Sequence, residues 1–473
     1  MGSARAVRVA LAAGGLTAAL SLLAILLVIL SVADPTNTAA QGYVHLAYVA
    51  LAVFVAVLVI ALSVQRLRLE ISAFFAWVVG AVSVLFSLVP VWGLAGGNTD
   101  LGVLIYRGLK VPQGIVQFWD LDLVMLSVDC SRFGFDIYQD NNGCMQDASI
   151  YGPGVAWLRF VPFGIFSRDS VMVLGVLMAV VSSLALVWLA RQSRGLGSIV
   201  LLVAAVGVPW LLLLERGNID AVVIWVAVAT VMLTRRWHAL WAWWLAAAAI
   251  WIVGTWKYYP FVLGLLLIPA LRLRRGWTVL AGYLVASVGF VALTWSNFRF
   301  SSSSNSAMID YGDYVVLGRI PVVARMLGSE TPSVGLQWGD VLLFALVVAA
   351  AVWGWWVVRA ASVRNAPLAS LATGGAALYL ASVVIAGFGY AYKATFLLLA
   401  VPMLAVLLRS RQRVAVASSV AVLLLVGVQS IVVWNTVLAT LAGVVAAGFA
   451  FGVGTNVMWR VFTRAIRQVR VAS

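Results

Sequence analysis

The chain has 473 residues, of which 64% are hydrophobic and only 10% charged, with a mean hydropathy of +1.05. A soluble protein of this length cannot hide so much apolar surface, and repeated apolar runs of about 18 residues or more mark membrane helices. The runs are continuous rather than alternating, which argues against a membrane β-barrel, and the net charge of +15 sits in short arginine clusters between runs, a sign of membrane orientation rather than nucleic-acid binding.

In chain order, fourteen spans are expected, at roughly 9–32, 43–64, 71–96, 170–190, 196–214, 219–234, 239–256, 259–271, 277–295, 340–358, 367–387, 394–408, 414–434 and 436–458. The chain therefore reads as an all-α, polytopic integral membrane protein. Its divisions are two N-terminal helices (1–70), a core (71–295) that includes a large loop at 97–169, a second loop at 296–339, and C-terminal helices with a basic tail (340–473). The first apolar region runs about 24 residues, longer than the apolar part of a signal peptide, and reads as an anchor. The 259–271 span is short enough to be tilted, broken or mispaired.

The loops assign the sides. With the N-terminus cytoplasmic, the inside loops and the tail hold 20 of the 31 basic residues and one of the 16 acids, Glu70. Every alternate loop follows this bias. Both termini are expected in the cytoplasm of a multi-pass plasma (inner) membrane protein, and the two long loops on the extracytoplasmic face.

Acids and aromatics concentrate on that outer face. Asp120 and Asp122 flank Leu121 in WDLDLVML, at the start of a stretch suited to a short helix on the membrane surface, where either carboxylate is placed to cap it. WLLLLERGNID puts Glu215, Arg216, Asn218 and Asp220 within six residues between two spans. GTWKYYP carries Lys257 with Tyr258 and Tyr259, and GFGYAYKATF carries Lys393 with Tyr390 and Tyr392. Interfacial anchoring is the ordinary reading of such tyrosines. The lysines are less ordinary: the chain has 28 Arg but only 3 Lys, and Lys110, Lys257 and Lys393 all fall on the outer side. A compact ammonium suits a phosphate met as a point charge; anchoring, or pairing with a nearby acid, are the alternatives.

Other chemistries lack their residues. The two histidines, His45 and His238, lie apart, and no His/Cys cluster has metal-site spacing. No phosphate-binding glycine loop occurs, and the cytoplasmic loops are too short for a nucleotide domain. No metal or other cofactor is expected. An energy-rich donor reaching the outer face should be dissolved in the membrane. The only cysteines, Cys130 and Cys144, lie in the first outer loop on the oxidising side, where they are expected to form a disulfide.

Asp120 in FWDLD, Gly134 and Tyr138 in GFDIY, Tyr151 and Pro153 in SIYGP, RGNID, and Lys257 and Pro260 in WKYYP together resemble the C-type (GT-C) glycosyltransferase superfamily, specifically glycosyltransferase family 87. That family includes polyprenyl-phosphate-mannose-dependent mannosyltransferases and arabinofuranosyltransferases of cell-envelope glycolipids and polysaccharides. The likeness covers roughly residues 75–270. In the family the catalytic loop follows the first span, whereas here it follows the third, so the first two read as an addition.

The resemblance implies a metal-independent, inverting transfer of a sugar from a polyprenyl-phosphate donor to a hydroxyl of a glycolipid or polysaccharide acceptor. Asp120 is then the general base, with Asp122 a second candidate carboxylate. Lys257, Arg216 and Lys393 stabilise the departing phosphate. Asn218, Asp220, Glu215, Tyr138, Tyr151 and Tyr258 position donor or acceptor. The rival readings are a lipid-linked sugar flippase or exporter, which needs polar residues deep within several spans, and an O-antigen-type ligase or polymerase, which needs arginine clusters on a large outer loop. No nucleic-acid partner is expected; the partners are membrane lipid, the lipid-linked donor and its acceptor.

Overall fold

The computed structural model describes residues 71–88, 118–138, 144, 151–162, 165–193, 195–297, 338–361, 365–384, 391–431 and 436–472. The expected spans at 9–32 and 43–64, the loop residues Lys110 and Tyr390, and 298–337 of the second long loop lie outside the described residues.

Every element among the described residues is helical. In chain order they are α1 (Ile71–Ser87), α2 (Trp119–Arg132), 3-10 helices at Pro153–Phe160 and Arg168–Ser170, α3 (Val171–Ser193), α4 (Leu196–Ala205) and α5 (Val208–Glu215). Next come α6 (Asp220–Arg236), α7 (Leu240–Trp256), a 3-10 helix at Tyr259–Arg272 and α8 (Gly276–Leu293). The C-terminal part comprises α9 (Trp338–Ala361), α10 (Ala366–Val384), a 3-10 helix at Ala391–Ala400 running into α11 (Val401–Leu407), α12 (Arg413–Ile431) and α13 (Thr436–Ala472).

Four segments among the described residues are single helices long and apolar enough to cross a bilayer: Arg168–Ser193, Gly276–Leu293, Phe344–Ala361 and Leu441–Arg460. A fifth forms if α4 and α5 are taken as one span bent by 48°. The sequence expectation of an unbroken 196–214 span meets a break at Val206 and Gly207, where Pro209 sits in the first turn of α5 and cannot supply an N–H to a continuous helix. The short 259–271 stretch is the 14-residue 3-10 helix. At about 2.0 Å rise per residue such a segment reaches ~28 Å, close to the thickness of a hydrocarbon core.

The bundle is held by apolar packing and, where helices meet closely, by glycine. α9 and α13 touch through Gly354 on one and Gly448 and Gly452 on the other. A Cβ on Gly452 would stand 1.9 Å from the Ala351 carbonyl oxygen, and one on Gly354 2.2 Å from that of Phe449. Small residues four apart let backbones approach in this way inside a membrane. Gly452→Leu is therefore expected to cost about 1–3 kcal/mol or more, because the obstacle is backbone and cannot rotate away; unfolding of the purified variant measures it, and an unchanged midpoint would contradict this contact. A buried polar chain ties α1, α3 and α5 together: Trp210 Nε1 donates to Ser83 Oγ at 2.8 Å, and Ser83 and Ser183 hydroxyls meet at 2.7 Å.

The two ends of the bundle differ. α6 runs from Asp220 to Arg236, about 24 Å at 1.5 Å per residue, and α7 returns. At the arginine end, Arg235 donates to Gln192 and Arg409 to the Ser193 carbonyl. At the other end lie Asp220, Lys257 and the start of α2.

Candidate active site

The site begins with how helix α5 stops. Gly217 takes a left-handed conformation at φ +60°. The Asn218 N–H then reaches the Leu213 carbonyl, and that of Gly217 reaches Leu214, both at 3.1 Å. This is a Schellman termination, which satisfies carbonyls the helix would otherwise leave open. It reverses the chain tightly and delivers Arg216, Asn218 and Asp220 to one place. A Cβ at Gly217 would lie 2.9 Å from Leu121 Cβ, so glycine is required by conformation and by contact.

Helix α2 docks its N-terminus on that turn. The backbone N–H groups of Phe118, Asp120 and Leu121 donate to the carbonyls of Glu215 and Arg216, at 2.9, 2.9 and 3.3 Å. Carbonyls of the turn thus satisfy donors that a capping side chain would otherwise take. The expectation that Asp120 or Asp122 caps this helix is corrected: Phe118 occupies the N-cap, at φ 57°, without a side-chain cap. Its ring is fully buried against Gly175 of α3, where a Cβ would come within 2.3 Å of it. A bulky residue in the left-handed region is held there by its surroundings. The short-surface-helix expectation is also revised, since Leu121, Val124, Met125 and Val128 of α2 are buried in the main apolar core.

Asp120 is freed from capping for the site. Its Oδ1 accepts from Arg216 Nε at 2.9 Å and Nη2 at 2.5 Å, and its Oδ2 accepts from Asn218 Nδ2. The Asn218 amide is the hub. Its Nδ2 also donates to the Tyr392 hydroxyl at 3.1 Å, while its Oδ1 accepts from Lys257 Nζ at 2.8 Å and from the Asp220 N–H at 3.0 Å. Asp220, fully buried, accepts Lys257 at 2.9 Å on Oδ1, Lys393 at 2.7 Å on Oδ2, and the Tyr259 hydroxyl on Oδ1. Lys393 additionally donates to the Tyr259 oxygen at 2.8 Å. Each lysine also faces a ring, Lys257 over Tyr151 at 5.4 Å and Lys393 over Tyr259 at 4.2 Å.

The two lysines thus meet one carboxylate, the acid-pairing alternative open in the sequence. They differ in depth. The Lys257 side chain keeps 13% exposure and Arg216 16%, whereas Lys393 keeps 6% and Asp220 none. Arg216 and Lys257 are thus the more exposed cations, and Lys393 is the most buried of the three. Tyr259 and Tyr392, expected as interfacial anchors, are instead buried members of the network. Glu215 is buried in the last turn of α5, within the same reversal.

The remaining outer-loop residues form a flank. Asp122 faces away from Asp120 and pairs with Arg168 (2.8 and 3.0 Å). Arg132 pairs with Asp129 at 2.8 Å and donates to the carbonyls of Leu158, Val161 and Phe166, fixing the 3-10 segment to α2. Cys130 and Cys144 are joined as a disulfide beside Ile137 and Tyr138. The Tyr138 hydroxyl donates to the Tyr151 carbonyl at 2.9 Å. Burial, with the Asp136 carboxylate nearby, pushes that phenol well above its ordinary range, so it stays a neutral donor. Tyr258 is half-buried and hydrogen-bonds Thr294. Gly152 and Gly154 press on the end of α7, the Gly152 N–H bonding the Trp256 carbonyl at 2.7 Å; this seats Tyr151 beside Lys257.

Sequence reasoning missed Phe118, Gly217 and Arg168. Gly217 carried a readable signal, a glycine directly after an apolar helix; the other two had none. No group of three or more metal-binding side chains occurs among the described residues. Comparisons with protein-family models, with curated proteins and with solved structures returned no match.

Proposed function

We propose that the chain is a membrane glycosyltransferase of the C-type, related in mechanism to glycosyltransferase family 87, which moves a sugar from a polyprenyl-phosphate carrier to a cell-envelope glycolipid or polysaccharide. The observation that carries this reading is the convergence of a buried carboxylate, Asp120, with two partly exposed cations, Arg216 and Lys257, at the bundle end opposite the arginine-rich ends. A base and two cations at one membrane face suit a donor whose phosphate sits at headgroup depth. On this reading all fourteen spans cross the plasma membrane, both termini are cytoplasmic and the site is extracytoplasmic.

The residues divide the work. Asp120 removes the proton of the acceptor hydroxyl as that oxygen attacks the anomeric carbon from the face opposite the phosphate, giving inversion. Lys257 and Arg216 stabilise the charge that develops on the leaving phosphate. Asn218 fixes the distance between base and cation by bonding both. Asp220, Lys393 and Tyr259 hold Lys257 from behind.

Lys257→Met tests the phosphate role. It is expected to weaken binding of a polyprenyl-phosphate sugar about 10–100-fold, the value of a charge-assisted hydrogen bond, with membrane insertion unchanged. Lys393→Met should chiefly lower turnover, through loss of Lys257 positioning. If both variants keep wild-type kinetics, these lysines serve only the fold and the phosphate role is lost.

A further inference from the structure

Arg216 is asked to serve two anions. Its Nε and Nη2 both bond one oxygen of Asp120, and the lysines are committed to Asp220. The formal charges of this reversal balance as they stand: Asp120, Glu215 and Asp220 against Arg216, Lys257 and Lys393. An arriving phosphate therefore brings negative charge that no cation here is free of a carboxylate to balance, and it competes with Asp120 and Asp220 for them. Arg216 is the most exposed of the three, at 16%, against 8% for the Asp120 side chain behind it.

Geometry favours the exchange. Two donors crowd onto Oδ1 of Asp120, whereas a guanidinium fork is matched by an anion offering two oxygens in its plane, as a phosphate does. Asp120 does not lose its place when Arg216 leaves. Its backbone N–H stays on the Arg216 carbonyl, and Oδ2 keeps the bond from Asn218. The change exposes Oδ1 alone.

We propose that Arg216 is a donor-operated latch: it holds Oδ1 of Asp120 until a donor phosphate takes the guanidinium, and only then is that oxygen open to an acceptor hydroxyl. This rests on the glycosyltransferase reading and adds an order to it, donor before acceptor. In the step that follows, the acceptor O–H proton passes to Asp120 Oδ1. The acceptor oxygen bonds the anomeric carbon, the bond from that carbon to the phosphate oxygen breaks, and its electron pair leaves on the phosphate held by Arg216 and Lys257. The latch prevents the base from activating water or an acceptor before a sugar is in place.

Geranyl phosphate, which carries the phosphate and a short isoprenoid but no sugar, is the probe. Its binding to the full chain in lipid nanodiscs is followed by calorimetry and by infrared difference spectroscopy. The expected result is saturable binding with a shift of the antisymmetric carboxylate stretch that disappears in Asp120→Asn. In Arg216→Gln the carboxylate band should already sit at its shifted position and should not move on titration. Binding without any Asp120-dependent shift in the wild type overturns the latch and leaves the phosphate site standing. No binding at all overturns the phosphate site, and the latch with it. The wild-type spectrum decides the matter even if Arg216→Gln does not fold.

Discussion

Asp120→Asn is expected to lower the turnover of sugar transfer by about 10²–10⁴, the usual contribution of a positioned general base. The change removes one charge and almost no volume. An amide still accepts from Arg216 through its oxygen, but it cannot receive the acceptor proton. The fold should survive, because α2 is docked by backbone hydrogen bonds from Phe118, Asp120 and Leu121 to the 215–216 carbonyls, none of which uses the side chain. Asp122→Asn should have little effect on chemistry, since that carboxylate is engaged by Arg168 on the other side of the helix. Steady-state rates with a lipid-linked donor, alongside a circular dichroism check of folding, measure both. Near-normal turnover for Asp120→Asn with an inactive Asp122→Asn would move the role to Asp122.

The second large effect falls on stability. Asp220→Ala should destabilise the protein by about 3–5 kcal/mol, the cost of removing one partner from a buried ion pair. Asp220 has no exposure, and its two oxygens receive Lys257, Lys393 and Tyr259. Alanine would leave the Lys393 ammonium, itself 6% exposed, without a carboxylate, among the rings of Tyr259, Tyr392 and Phe396. The companion Asp220→Asn/Lys393→Met should recover most of the loss, because it removes the stranded charge together with its partner. Thermal unfolding of the three purified proteins gives the comparison. An Asp220→Ala protein as stable as wild type would show that the lysines find other compensation.

What the sequence made legible follows from what is local. Apolar runs are one-dimensional, so helical class and a membrane setting could be read from composition. Charged and amide side chains stranded between such runs marked Asp120, Arg216, Asn218, Asp220, Lys257 and Lys393, and these do meet in space. The separation of Asp120 from Asp122 was legible in principle, because residues two apart on a helix point about 200° apart. Which acid takes which base was not legible. Lys393 reaches Asp220 across 173 positions, a pairing set by helix packing. Phe118 in the left-handed region was hidden for the same reason, whereas the 3-10 form of Tyr259–Arg272 was hidden because an apolar run reads alike whether it coils at 3.6 or 3.0 residues per turn.

Transfer itself is the most direct test. The purified chain is placed in vesicles carrying a radiolabelled polyprenyl-phosphate mannose or arabinofuranose on one leaflet, together with a cell-envelope lipid extract as acceptor and a chelator to exclude metals. The account predicts that label moves from the carrier to an extract component with inversion at the anomeric carbon, and that Asp120→Asn abolishes the movement. Label that crosses to the other leaflet while remaining on its carrier would contradict the account and make the protein a translocator of lipid-linked sugar.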